Sequence, residues 1–136
     1  MLQKLYRYLF WTGYLAVLIM AFMPFGGNIS RIKLGPESFH IRLDHLLHFC
    51  VYFLICIYYM AGKIIGLYLF SENPLKKFII LLLFLASVTE LAQLWVPDRT
   101  FSVLDLVSNV AGVFAGVTFI SLTKFKVEQG AIKNDQ

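Results

Sequence analysis

Ionisable and amide side chains occur in three short clusters of a chain that is otherwise mostly apolar. In chain order, the clusters are Asp44, His45 and His48; then Glu90 and Gln93; then Asp105, Ser108 and Asn109. Carboxylates and imidazoles transfer protons, bind metal ions and hold charged ligands, so these side chains are the candidates for chemistry. What they can do depends on whether the segments that carry them bring the clusters together.

The spacing within each cluster fits one face of an α-helix. Asp44 and His48 are four residues apart, as are Asp105 and Asn109, and the pair in the second cluster is three residues apart. Residues at these separations lie on the same side of a helix. Each cluster therefore predicts a polar stripe on a helix of its own.

The composition indicates which solvent surrounds these helices. The 136 residues are 59% hydrophobic and only 15% charged, with a mean hydropathy of +0.72. Soluble domains are roughly 45–50% apolar and about 25% charged, and a small domain has too much surface to hide such an excess. A soluble enzyme, a disordered chain and a disulfide scaffold are excluded, and a membrane protein is indicated. The basic residues behind the net charge of +4 are scattered between apolar stretches, which argues against nucleic acid as a partner.

Four apolar stretches are long enough to cross a bilayer as helices. They cover about residues 8–24, 46–70, 78–96 and 103–123, and about 17–25 residues span the hydrocarbon core. None shows the alternation of a barrel strand, and lipid-exposed spans must satisfy their own backbone. The sequence predicts an all-α bundle of four transmembrane helices over residues 1–123, followed by a polar, frayed cytoplasmic tail at 124–136.

The distribution of lysine and arginine predicts the orientation of the bundle. With the N-terminus inside, eight of the twelve basic residues fall on the cytoplasmic side, and the other four, Arg31, Lys33, Arg42 and Arg99, fall outside. This bias favours a multi-pass protein with both termini in the cytoplasm. Successive helices run in opposite directions, so all three polar clusters then lie toward the outer face.

Burial makes the polar clusters costly. Glu90 lies about 12 residues into the third stretch, roughly 18 Å along a helix, where an ionisable residue costs on the order of 2.5–3.5 kcal/mol on insertion scales. Such a residue needs a partner or a wet cavity. We expect a ligand pocket formed by Asp44, His45, His48, Glu90, Gln93, Arg99, Asp105 and Asn109. The alternative is that these groups only join the helices to one another.

Two further properties of the clusters stay open on sequence alone. Asp44, His48, Glu90 and Asp105 supply nitrogen and oxygen ligands suited to zinc or manganese, but no compact motif such as H-E-x-x-H identifies a metal or any other cofactor. In the fourth helix, Gly112 and Gly116 form a close-packing signal for another helix or for an oligomer partner.

The motifs follow one another in a specific order. They read Asp44-x-x-x-His48-Phe49, then Glu90-x-x-Gln93, then Arg99-x-x-Ser102-x-x-Asp105-x-x-x-Asn109-x-x-Gly112. This series resembles the VanZ-like family of small polytopic bacterial membrane proteins, over about residues 8–123. The family is named for a protein associated with resistance to the glycopeptide teicoplanin. One departure is His45, where the family often has lysine, so a fixed positive charge is missing there.

The resemblance implies a role in the cell envelope, at the bacterial cytoplasmic membrane, but it supplies no reaction. The first hypothesis is a pocket that binds a lipid-linked wall precursor, a lipid headgroup or a glycopeptide-like antibiotic. The second is an outer-leaflet enzyme in which Glu90 or His48 is the general base, with Arg99 and Asn109 stabilising an anionic transition state. The third is a structural subunit that assembles through the Gly112 and Gly116 face.

The orientation is open to a direct test. After Cys50 and Cys56 are replaced, a cysteine at Leu34 should react with a membrane-impermeant thiol reagent added from outside, because the basic-residue bias places that loop outside. A cysteine at Lys76 should react only after permeabilisation. Labelling of position 34 from the cytoplasm alone would reverse the orientation and move the pocket to the inner face.

Overall fold

The computed structural model describes residues 1–22, 33–34, 41–97 and 101–134. Four helices run through these residues, and a short antiparallel pair of strands precedes the second helix, with Lys33 opposite Arg42. In chain order, the elements are α1 (Leu2–Ala21), β1 (Lys33–Leu34), β2 (Ile41–Arg42), α2 (Leu43–Ile64), α3 (Pro74–Ala92), a 3-10 turn (Gln93–Trp95) and α4 (Val103–Asn134). The prediction of an all-α bundle is thus confirmed, while its orientation stays a prediction.

Three helices in the described part of the chain are long and apolar enough to cross a membrane. They are Leu43–Ile64, Pro74–Trp95 and Val103–Leu122. The first helix differs because its opening turns carry Gln3, Lys4 and Arg7, and because it ends at Ala21 rather than extending through the whole apolar stretch. A membrane crossing by α1 therefore stays a prediction.

The fourth helix is longer than the sequence suggested. We expected it to end near residue 123 and to give way to a frayed tail, but the helix continues to Asn134 and comprises 32 residues. The added segment contains no proline and is rich in residues that tolerate a helix. At 1.5 Å per residue, α4 is about 48 Å long and exceeds the hydrocarbon thickness of about 30 Å.

The turn between α2 and α3 is set by local chemistry. Gly66 has a φ of +77°, its N–H donates to the carbonyl of Lys63, and the N–H of Leu67 donates to the carbonyl of Gly62. These two hydrogen bonds form a Schellman motif, which ends a helix at a glycine. Pro74 then opens α3, where its missing N–H costs nothing.

The first helix joins the bundle through aromatic rings. Tyr6 stacks on Tyr58 with ring centroids 5.0 Å apart, and the Tyr58 hydroxyl donates to the Tyr6 carbonyl at 2.9 Å. Phe10 lies 6.1 Å from Phe78 of α3. Gly62 accommodates the Tyr6 ring, because a side chain at this position would collide with it. The apolar interior is thus formed by all four helices, and α4 contributes Val113 and Ile120 to it.

The closest helix contact joins α2 and α4, which pack on each other more extensively than any other pair of elements. A Cβ on Gly112 would collide with the backbone carbonyl oxygen of Phe49, and one on Gly116 would collide with Cys56. The two glycines therefore serve contact within the chain. The face that we expected to be available for an oligomer partner is covered by α2 of the same molecule.

This contact makes a stability prediction. Gly112→Ala should lower the melting temperature in detergent, because its obstacle is backbone rather than a mobile side chain; overpacking of this kind costs about 1–3 kcal/mol. Gly13→Ala is the matched control, since nothing lies within 4 Å of its added Cβ. Equal melting temperatures for the two variants would contradict the close approach of α2 and α4.

Candidate functional site

The polar residues gather at one end of the bundle, where α2 and α4 begin and α3 ends; we call it the polar end. Its buried members, with relative exposures of 8% or less, are Asp44, Glu90, Gln93, Asp105 and Asn109. The structure thus brings together residues that are up to 65 positions apart in sequence, from Asp44 to Asn109. Arg99, which we expected in the pocket, lies outside the described residues.

Asn109 connects the three helices of the polar end. Its side-chain oxygen accepts a hydrogen bond from His48 Nδ1 of α2 at 2.9 Å, and its Nδ2 donates to Glu90 Oε1 of α3 at 2.9 Å. An amide oxygen only accepts hydrogen bonds, so with the amide nitrogen turned toward Glu90, His48 Nδ1 is the donor to Asn109 Oδ1. The proton of the imidazole therefore lies on Nδ1.

His48 lies between two carboxylates. Its Nδ1 is 3.6 Å from Glu90 Oε1, and its Nε2 is 3.7 Å from Asp44 Oδ1, one helical turn earlier on α2. Because Nδ1 carries the proton, Nε2 of the neutral imidazole presents its lone pair on the side of Asp44. His48 thus connects Asp44 of its own helix with the residues of α3 and α4.

A second histidine joins the first turns of α2 and α4. His45 Nδ1 is hydrogen-bonded to Asp105 Oδ1, and the backbone N–H of Asp105 donates to Ser102 Oγ at 3.2 Å. This hydrogen bond makes Ser102 the N-cap residue of α4, as expected for a serine three residues before an acidic residue at the start of a helix. At the position where the resemblance pointed to lysine, an imidazole thus holds the Asp105 carboxylate.

The remaining polar residues have different surroundings. Gln93 is buried in the 3-10 turn, but the hydrogen bonds of the described residues do not join it to the other members. Ser108 donates to the carbonyl of Leu104 in its own helix. Sequence reasoning missed Thr89, whose hydroxyl lies 3.1 Å from the Tyr52 hydroxyl. The only signals were its position beside Glu90 and the i,i+4 relation of Tyr52 to His48.

One comparison with known proteins identifies the family of the chain. The VanZ/LLP1 family model matches residues 7–124, nearly the whole chain. The chain belongs to the VanZ-like family. Neither the curated proteins nor the solved structures include a significant match.

Three side chains of this VanZ-like chain have metal-ligating atoms close together. Asp44, His48 and Asp105 each offer one such atom, and all three atoms lie within 4.8 Å of one another. Glu90, the fourth metal candidate from the sequence, is not in this group. The physical reason is that it lies on the Nδ1 side of His48 and accepts the amide of Asn109.

The burial of the polar end bears on the candidates for acid–base chemistry. Asn109 is fully buried, and its amide links His48 to Glu90, so its expected part in stabilising an anionic transition state stays a prediction. Of the two general-base candidates, Glu90 is 0% exposed, whereas the side chain of His48 is 17% exposed. His48 is therefore the more accessible of the two candidates.

The bridging role of Asn109 has a measurable consequence. Asn109→Leu keeps a similar volume but leaves His48 Nδ1 without this acceptor and Glu90 Oε1 without this donor, and each buried group so affected costs about 1–3 kcal/mol. We expect a clearly lower melting temperature in detergent. Ser108→Ala is the neighbouring control and should melt like the wild type, because it loses only a bond within its own helix. Wild-type melting of Asn109→Leu would contradict the bridge.

Proposed function

We propose that this VanZ-like protein resides in the bacterial cytoplasmic membrane and binds a polar or charged ligand at its polar end, which faces outward. The ligand classes are a lipid-linked wall precursor, a lipid headgroup and a glycopeptide-like antibiotic, with a link to glycopeptide resistance. One observation supports this most directly: three helices bury three carboxylates around two histidines at one depth.

The energetics favour ligand binding over a purely structural network. An ionisable residue at the centre of a membrane-spanning helix costs on the order of 2.5–3.5 kcal/mol on insertion scales. Glu90 is fully buried, whereas Asp44 and Asp105 lie in the first turns of their helices. An interhelical hydrogen bond returns on average only about 0.6 kcal/mol. Serine, threonine and asparagine would join the helices at a lower cost than Asp44, Glu90 and Asp105 do. The presence of three carboxyl groups at the polar end is therefore better explained by ligand binding than by helix packing.

The exposure of the site indicates how a ligand would approach. The side chains of His45 and His48 are 14% and 17% exposed, whereas the carboxylates of Glu90 and Asp105 are 0% and 4% exposed. A headgroup that enters from the polar end meets imidazole edges first, with carboxylates behind them. Such a surface suits hydroxyl and amide groups, which can donate a hydrogen bond to the unprotonated Nε2 of His48.

A second candidate function is catalysis at the outer leaflet. The observation that favours it is the orientation of His48, because Asn109 holds Nδ1–H and so leaves Nε2 for a ligand. A histidine fixed in this way, within reach of a bound hydroxyl or water, is a typical general base. The two candidates share one pocket and differ in whether the bound molecule is released unchanged.

The variant Glu90→Gln separates a functional charge from a structural one. A glutamine oxygen still accepts the Asn109 amide, so the fold and membrane insertion should survive with a melting temperature close to the wild type. Ligand retention, measured by lipid analysis of the purified protein, and any glycopeptide-susceptibility phenotype should be lost. Glu72→Gln, an exposed acid at the opposite end of the bundle, is the matched control.

An intact fold with unchanged ligand retention and unchanged phenotype would return Glu90 to a structural role and contradict the proposal. If Glu90→Gln fails to fold, His48→Gln provides the same comparison from the exposed side of the network. A defined lipid or wall precursor that is present in the wild type and absent from this variant supports binding. A chemically altered form of that molecule in wild-type membranes supports catalysis.

A further inference from the structure

Asp44, His48 and Asp105 form a compact group of potential metal ligands at the polar end. Its three ligand atoms lie within 4.8 Å of one another, and His48 Nε2 is 3.7 Å from Asp44 Oδ1. Two ligand atoms on a tetrahedral zinc ion are about 3.4 Å apart, given metal–ligand distances of about 2.1 Å. Small side-chain rotations would bring the three atoms to this separation.

Residues outside the group fix the orientation and the tautomer of His48, as metal-binding histidines require. A metal-binding imidazole uses one nitrogen for the ion and donates the other N–H to a fixed acceptor. In this chain, Asn109 Oδ1 is that acceptor for His48 Nδ1–H, and Glu90 fixes Asn109 in turn. The lone pair of Nε2 is thereby directed to the side where Asp44 lies.

The two carboxyl groups of the group, those of Asp44 and Asp105, are also buried or held in place. Asp44 is 8% exposed and Asp105 is 3% exposed, and an oxygen atom of each belongs to the same compact group of potential metal ligands. His45 holds one oxygen of Asp105 and so restricts its rotation. A divalent cation would bind an oxygen atom of each carboxyl group, and metal coordination is one of the ways in which proteins accommodate buried carboxylates.

We infer that Asp44, His48 and Asp105 bind a divalent transition-metal ion, with Zn²⁺ as the best match to one nitrogen and two oxygen ligands. Three protein ligands leave a coordination position open, as in catalytic rather than structural zinc sites. Asn109, Glu90 and His45 are positioning residues. The inference deepens the proposed function, because the open position would hold an oxygen atom of the ligand, with a phosphate oxygen as the preferred donor class.

The test uses the full chain in an uncharged detergent, after treatment with a chelator, and titrates it with Zn²⁺ alone. One ion per chain should bind and raise the melting temperature, because an ion that binds only the folded state stabilises it. Co²⁺ in place of Zn²⁺ should give the visible absorption of a site of low coordination number. His48→Gln and Asp105→Asn should abolish the stoichiometric binding.

A matched control distinguishes this site from adventitious binding. Glu72→Gln removes an exposed carboxylate at the opposite end of the bundle, and this variant should bind Zn²⁺ like the wild type. His45→Gln should weaken binding by roughly 10–100-fold, the usual effect of losing a residue that orients a metal ligand. A purely structural His45 would change melting without changing affinity.

The outcomes separate this inference from the proposed function. Absence of stoichiometric Zn²⁺ binding, or binding that survives both His48→Gln and Asp105→Asn, overturns the metal site. If either variant does not fold, the Co²⁺ spectrum of the wild type and its response to His45→Gln decide the same question. Retention of a headgroup by metal-free protein would uphold the ligand pocket while rejecting the ion. If the protein binds Zn²⁺ but Glu90→Gln leaves ligand retention unaltered, the metal site would be upheld and the proposed ligand pocket rejected.

Discussion

The side-chain amide of Asn109 is the interaction on which the polar end depends. It joins α2, α3 and α4 through His48 and Glu90, and it is fully buried, so water does not replace a missing partner. Gly112 is three residues further along α4 and allows α2 to approach until backbone touches backbone. A side chain there would push α2 away and separate His48 from Asn109. Helix packing and site chemistry are thus one constraint.

The carboxyl groups of the polar end lie on the two sides of the His48 imidazole. On the Nδ1 side, Asn109 Nδ2 donates to Glu90 Oε1, and both residues are fully buried. On the Nε2 side, Asp44 Oδ1 lies 3.7 Å away, and Asp105 contributes an oxygen atom to the same group of potential metal ligands. The first side fixes the orientation of the imidazole, and the second places a carboxyl group beside its other nitrogen.

Much of this arrangement could be predicted from sequence, because it follows from helix periodicity and chain direction. Spans of suitable length, polar stripes at i,i+4 and alternating helix directions are enough to place the clusters at one end. The pairings could not be predicted, since they depend on the rotation of each helix and on rotamers. From sequence, Glu90 was expected among the metal ligands, and the Gly112 face was expected to be open to an oligomer partner. The sequence does not show which side chain or which helix contacts each of these residues.

The identity of residue 45 shows how one substitution can alter such a site without changing the fold. A lysine, which the VanZ-like family often has there, would place a permanent positive charge beside Asp105 and compete with any bound cation. His45 instead contacts Asp105 through Nδ1, and an imidazole, unlike a lysine side chain, carries no permanent charge. The contact between α2 and α4 is kept, but the polar end has no permanent positive charge at this position. Residue 45 therefore sets the charge beside Asp105 without altering the packing of the helices.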